Sequence, residues 1–140
     1  MKVAELATSL GNLVTNQIVE AEAFVRMKGA NFIHVLQPDL FTRPLRSYEK
    51  ELVANHFLTM NGIEIALQAA HKQFSALTPS LISRGVKAYD ATGIFDNVEE
   101  PIFLDFAHTT EKGNEVVANY LFQVLQEETI LGGAEKLGHR

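Results

Sequence analysis

Two short apolar runs constrain this chain more than anything else: Ala30-Asn31-Phe32-Ile33-His34-Val35-Leu36 and Val86-Lys87-Ala88-Tyr89-Asp90-Ala91, separated by a long stretch of helical periodicity. Short apolar runs of this kind read as strands, and a helix that connects neighbouring strands must cross one face of the sheet, which makes the strands parallel. The first run is nearly continuous in its apolar character, the pattern of a strand covered on both faces. Upstream, Val3, Leu6, Leu10, Leu13, Val14, Ile18, Ala21, Phe24 and Val25 recur at three- and four-residue intervals, which predicts a first helix. Gly11-Asn12 interrupts it at a cost of about 1 kcal/mol, leaving open a weak point or a start at Asn12. Lys28-Gly29 supplies the positive last turn and the stop.

Gln37-Pro38 ends the first strand, and a loop with two prolines and two arginines runs to Ser47, carrying the exposed-looking Leu40, Phe41 and Leu45. Ser47 is placed to cap a second helix, with Glu49 and Glu51 complementing its positive end. Leu52, Val53, Phe57, Met60, Ile63, Leu67, Ala70, Phe74 and Leu77 keep the helical period up to Pro79, with Gly62 a candidate kink. Pro79 to Gly85 reads as an exit loop, and Thr92 to Glu100 as irregular and acidic. The last helix is expected from near Thr110, burying Val116, Val117, Tyr120, Leu121, Val124 and Leu125. Residues 1–128 form the expected domain and 129–140 a tail that frays around Gly132-Gly133.

Helix, strand, helix, strand, helix is half of a doubly wound α/β domain. Two parallel strands leave unpaired edges and make a marginal sheet alone, so an N-terminal portion, a second chain or a rearranged packing should complete it. Self-association is the corresponding expectation. With 140 residues, 46% hydrophobic and 21% charged, the chain has the make-up of one soluble domain. A formal charge of −5 without clustered Lys and Arg argues against nucleic acid as the main partner. No apolar run approaches the roughly 20 residues of a membrane span, and Met1-Lys2-Val3-Ala4-Glu5 does not open a signal peptide. The absence of cysteine excludes disulfides and thiolate chemistry without fixing a compartment.

Chemistry concentrates in Pro101 to Asn114, where an apolar segment delivers Asp105 and, three residues on, His108, just before a helix opens. A carboxylate and an imidazole on one short turn can form the base half of a nucleophilic triad. Such a spacing is weak evidence alone; the apolar approach and Gly113-Asn114, where a missing side chain permits close backbone packing, strengthen it. Gln37, Phe41, Arg43 and Arg46 follow the carboxyl end of a predicted strand, the side on which α/β sheets bind ligands, and are the candidate substrate contacts. His34 reads as a packed core histidine, and His56 and His71 lie too far apart for a zinc site, so no metal or other cofactor is expected. Asp90 and Asp96 read as turn residues, Glu20 and Glu22 as solvated helix charges.

The run Ile102-Phe103-Leu104-Asp105-Phe106-Ala107-His108, with Gly113-Asn114 and Ala118 behind it, resembles the last signature block of the SGNH, or GDSL, hydrolases. The preceding order is similar too: a helix, then Gly29 to Pro38, a long helix, and Tyr89-Asp90-Ala91-Thr92. The resemblance covers residues 12 to about 126 and implies the C-terminal half of a flavodoxin-like three-layer α/β fold with an incomplete parallel sheet. It implies a serine ester hydrolase, esterase- or lipase-like, acting on small-molecule, carbohydrate or lipid esters, with Asp105 and His108 as the catalytic pair.

That family carries its nucleophile in an N-terminal Gly-Asp-Ser block, and its oxyanion donors in a glycine and a Gly-x-Asn-Asp block. None of these is found here: Ser9, Ser47, Ser75, Ser80 and Ser83 stand in no Gly-Asp-Ser or Gly-x-Ser-x-Gly context. The expectation is a C-terminal fragment, inactive alone, that a complementing N-terminal half would restore. A second expectation from a different class is a non-catalytic α/β or helical module whose apolar faces bind a partner chain.

Overall fold

A computed structural model describes residues 3–57 and 76–137, and side chains within 5–54 and 76–128. Its elements are α1 (Val3–Met27), β1 (Ile33–Leu36), α2 (Ser47–Phe57), α3 (Leu77–Ser83), β2 (Lys87–Asp90) and α4 (Glu111–Leu137). The chain is mixed α/β, and among the described residues no helix is long and apolar enough to cross a membrane. The interior of the predicted second helix, with Gly62, lies outside the described residues.

Both strands are launched from the same kind of corner. Gly29 (φ 74°) and Gly85 (φ 84°) adopt the left-handed conformation that costs other residues a Cβ clash. Each closes a helix by the paired bonds of a Schellman motif: Gly29 N–H to Arg26 C=O at 2.9 Å and Ala30 N–H to Val25 C=O at 3.3 Å, then Gly85 N–H to Ile82 C=O and Val86 N–H to Leu81 C=O, both at 3.0 Å. The exit loop expected from Pro79 to Gly85 is therefore a helix, α3, up to Ser83. Pro79 is its third residue, inside the first turn, where a missing N–H deprives no carbonyl of a bond. Gly11 does not interrupt α1, which runs unbroken from Val3, and Thr15 Oγ1 donates to Gly11 C=O at 2.8 Å.

β1 and β2 form a two-stranded parallel sheet in the register Ile33 with Lys87 through Leu36 with Asp90. Side chains alternate across it, so Ala88 joins Leu77, Leu81 and Val86 against Val14, Ile18 and Val19 of α1. On the opposite face Tyr89 O–H donates to Glu128 Oε1 of α4 at 2.6 Å, Lys87 pairs with Glu128 Oε2, and Tyr120 O–H reaches Asp90 C=O at 3.1 Å. α1 and α3 pack on the Ala88 face, while α4 reaches the other face through these polar bonds and leaves Lys87 exposed. All four residues of β1 are half-buried, where a strand enclosed on both faces was expected.

A second apolar cluster lies beyond the strands' carboxyl ends, where Leu40, Phe95, Ile102 and Phe103 are buried and pack with Phe41, Leu45, Val116 and Val117. The Phe95 and Phe103 rings meet edge to face at 5.5 Å. Leu40, which looked exposed in sequence, is fully buried here. Conversely, Leu121 and Leu125 of α4 are exposed although burial was expected of them, and Leu6, Leu10, Leu13 and Phe24 of the apolar repeat in α1 are exposed as well. α4 continues to Leu137, through the Gly132-Gly133 pair at which fraying was expected.

Candidate functional site: the turn bearing Asp105 and His108

The turn grows from a short closure between the core and α4. Phe103 and Thr109 form an isolated antiparallel bridge, Leu104 N–H donates to His108 C=O at 2.8 Å, and Thr110 N–H donates to Ile102 C=O at 2.7 Å. Thr110 is also the N-cap of α4, its hydroxyl accepting from Gly113 N–H at 3.2 Å and donating to Pro101 C=O at 2.8 Å. Gly113 is required by contact: a Cβ there would stand 2.7 Å from Thr109 Cβ and 2.9 Å from Ile102 C=O. The close packing read from Gly113 in the sequence is what the structure contains.

Within this closure Asp105 uses both oxygens. Oδ1 accepts from the backbone N–H groups of Ala107 at 2.9 Å and His108 at 2.8 Å, while Oδ2 lies 2.7 Å from His108 Nδ1. The backbone N–H of His108, that of Ala107 and the imidazole N–H together hold the Asp105 carboxyl well below its ordinary 3.8, at about 2. An ionised carboxylate only accepts, so at neutral pH Nδ1 carries the proton. The neutral ring then keeps its free lone pair on Nε2, and the side chain is 78% exposed. A lone pair on Nε2, with the ring fixed by an anionic acceptor at Nδ1, is what general-base activation of a hydroxyl requires.

The loop after β1 is drawn to this turn. Leu40 N–H donates to Phe106 C=O at 3.0 Å, which seats the 37–46 stretch beside residues 104–108. The four candidate substrate contacts there fare differently. Gln37 is exposed at the end of β1, and Phe41 is half-buried against the cluster around Leu40. Arg43 is not available to a substrate, because its side chain is 1% exposed and pairs with the fully buried Glu49 at 2.6 Å. Arg46 is one-third exposed, pairing with Glu99 at 3.2 Å and Asp96 C=O at 2.8 Å, and with Thr42, Pro44 and Leu45 it lines a cavity of about 320 Å³.

Sequence reasoning missed what surrounds Arg43. The sequence gives Glu49 a place at the positive end of α2 and singles out nothing for Tyr48, yet both bond the guanidinium. Arg43 lies in a loop and Glu49 in the first turn of α2, so neither a helical nor a strand period runs through both, and no periodic signal marks the pair. His34 is half-buried, with Nε2 enclosed and unpartnered, and burial lowers its pKa. The His56 side chain and His71 lie outside the described residues. Among the described residues no three His, Asp or Glu side chains gather as a metal site. Neither loop of the site holds a serine: Ser9 is on α1, Ser47 opens α2, Ser80 and Ser83 are on α3, and Ser75 is outside the described residues. No protein-family model matches the chain, and no curated protein or solved structure matches it.

Proposed function

We propose that this chain supplies the general base and its orienting carboxylate to a serine ester hydrolase of the SGNH type, the serine and oxyanion donors coming from a polypeptide segment outside these 140 residues. The observation that carries the reading is the Asp105–His108 geometry: an ionised carboxylate 2.7 Å from Nδ1 of an exposed imidazole whose other nitrogen, Nε2, is not used by the turn. In the completed site His108 takes the serine proton as the hydroxyl attacks the ester carbonyl and returns it to the departing alkoxide. Asp105 holds the tautomer and stabilises the imidazolium that forms. Without a serine and oxyanion donors, each donor's loss costing about 100- to 1000-fold, the chain alone is expected to be inactive.

The test is complementation. The chain is co-expressed with an N-terminal half carrying a Gly-Asp-Ser block and assayed on a nitrophenyl acetate, with His108→Ala alongside. Hydrolysis above background that His108→Ala abolishes supports the proposal; equal rates for the two remove His108 from the mechanism.

A further inference from the structure

The stretch between β2 and the turn has no regular secondary structure from Asp96 to Pro101 beyond turns, yet the carbonyls of Asp96, Val98 and Glu100 are each bonded by a side chain. The donors are Arg43 and Arg46, in the loop before α2, and Tyr48, in the first turn of α2. Arg43 Nη1 donates to the carbonyls of Phe95 and, at 3.0 Å, of Val98. Tyr48 O–H donates towards Glu100 C=O at 2.9 Å and Glu49 Oε1 at 3.0 Å, and its oxygen accepts from Ile102 N–H at 3.1 Å and Arg43 Nη2 at 3.1 Å. Glu49 closes the group, one oxygen on Arg43 at 2.6 Å and the other accepting Arg46 N–H at 2.7 Å. A side-chain hub here stands in for a strand ladder, binding carbonyls and an N–H that would otherwise be stranded.

The position of Ile102 gives the hub its consequence. Ile102 is fully buried, donates its N–H to the Tyr48 hydroxyl oxygen, and offers its own C=O to Thr110 N–H at 2.7 Å, the bond that closes the Asp105–His108 turn. Arg43, Tyr48 and Glu49 follow the same loop whose Leu40 N–H holds Phe106 C=O. We propose that Tyr48, braced by the buried Arg43–Glu49 pair, is a positioning residue that fixes the Asp105–His108 turn against the loop following β1. The hub thus accounts for an arginine in a loop otherwise suited to substrate contact: its work is to place the base. The catalytic meaning of this placement rests on the hydrolase reading, whereas the placement itself does not.

Amide hydrogen exchange on the chain alone tests it. Tyr48→Phe keeps the ring and removes only the oxygen, leaving Ile102 N–H without its acceptor. Tyr89→Phe removes a hydroxyl of comparable standing on the sheet's other side, that bonded to Glu128, and serves as the control. Tyr48→Phe is expected to lower protection of the Leu40 and Thr110 amides about tenfold relative to the amides of α1, with no such selective loss in Tyr89→Phe. Arg43→Lys, which keeps a charge opposite Glu49 but not the fork that spans two carbonyls, should reproduce the selective loss. Protection falling equally everywhere, or equally in Tyr48→Phe and Tyr89→Phe, overturns the proposal. Exchange is read without substrate, so a failed complementation assay leaves this result intact, and a failed exchange experiment leaves the hydrolase reading standing.

Discussion

Replacing glycine by alanine at two helical positions should move stability in opposite directions. In a helix interior the change is worth about 1 kcal/mol, because glycine loses more backbone freedom on folding. At Gly11 an added Cβ meets nothing within 4 Å, and it enters a cavity of about 100 Å³ between α1 and α3. Gly11→Ala is therefore expected to stabilise by about 1 kcal/mol. At Gly113 the same methyl would sit 2.7 Å from Thr109 Cβ, 2.9 Å from Ile102 C=O and 3.1 Å from Ile102 Cγ2. Two of these neighbours cannot swing away, one being backbone and the other a Cβ. Overpacking of this kind costs about 1–3 kcal/mol. The gain in helix propensity offsets less than its full value, since Gly113 lies in the first turn of α4. Gly113→Ala should thus destabilise by up to about 3 kcal/mol, placing the variants roughly 1–4 kcal/mol apart. Urea denaturation with an unchanged m-value reads the difference as a shift in midpoint. Equal stabilisation by both substitutions would refute the claim that Gly113 is there for close contact.

Arg43→Met should cost about 3–5 kcal/mol in the same assay, because it leaves the buried Glu49 carboxylate without its cation. Followed by NMR, Asp105 should titrate at about 2, and His108→Ala should raise that midpoint only part of the way, since the two backbone N–H donors remain. Because the folded value is depressed, the carboxylate's contribution to stability is present above its ordinary 3.8 and is lost as pH falls through about 2. His34, also lowered but by burial, favours the neutral ring in the folded state. Its contribution is full above the ordinary 6.5 and declines as pH drops below it, so His34→Leu should flatten the stability profile below 6.5. A profile with the same slope in His34→Leu would exclude that residue as the cause.

What the sequence made legible was local. Gly29 as a helix stop, the parallel pairing of two short apolar runs, the Asp105–His108 spacing and the tight approach at Gly113 each depend on residues a few positions apart or on chain connectivity. The misreadings arise where a distant partner decides. Helical periodicity marks Leu6 and Leu10 on α1, and Leu121 and Leu125 on α4, as apolar stripes but cannot say whether anything lies against them. Leu40 disappears into a cluster made by residues more than fifty positions away. Pro79 reads as a helix stop, its usual role, yet it sits in the first turn of α3, the turn that tolerates it, and Gly85 six residues on closes that helix. Arg43 followed the same rule: a charged loop residue is a fair ligand contact until a carboxylate is found buried beside it.

All three bonds of the Asp105 carboxylate stay within four residues of chain. Ring orientation is accordingly written into a self-contained loop and owes nothing to the sheet, whose share is only to say where that loop is mounted. The ring's angle is thus set by neighbours along the chain, and only its address by Leu40, Phe95 and Tyr48, which hold residues 102, 103 and 106.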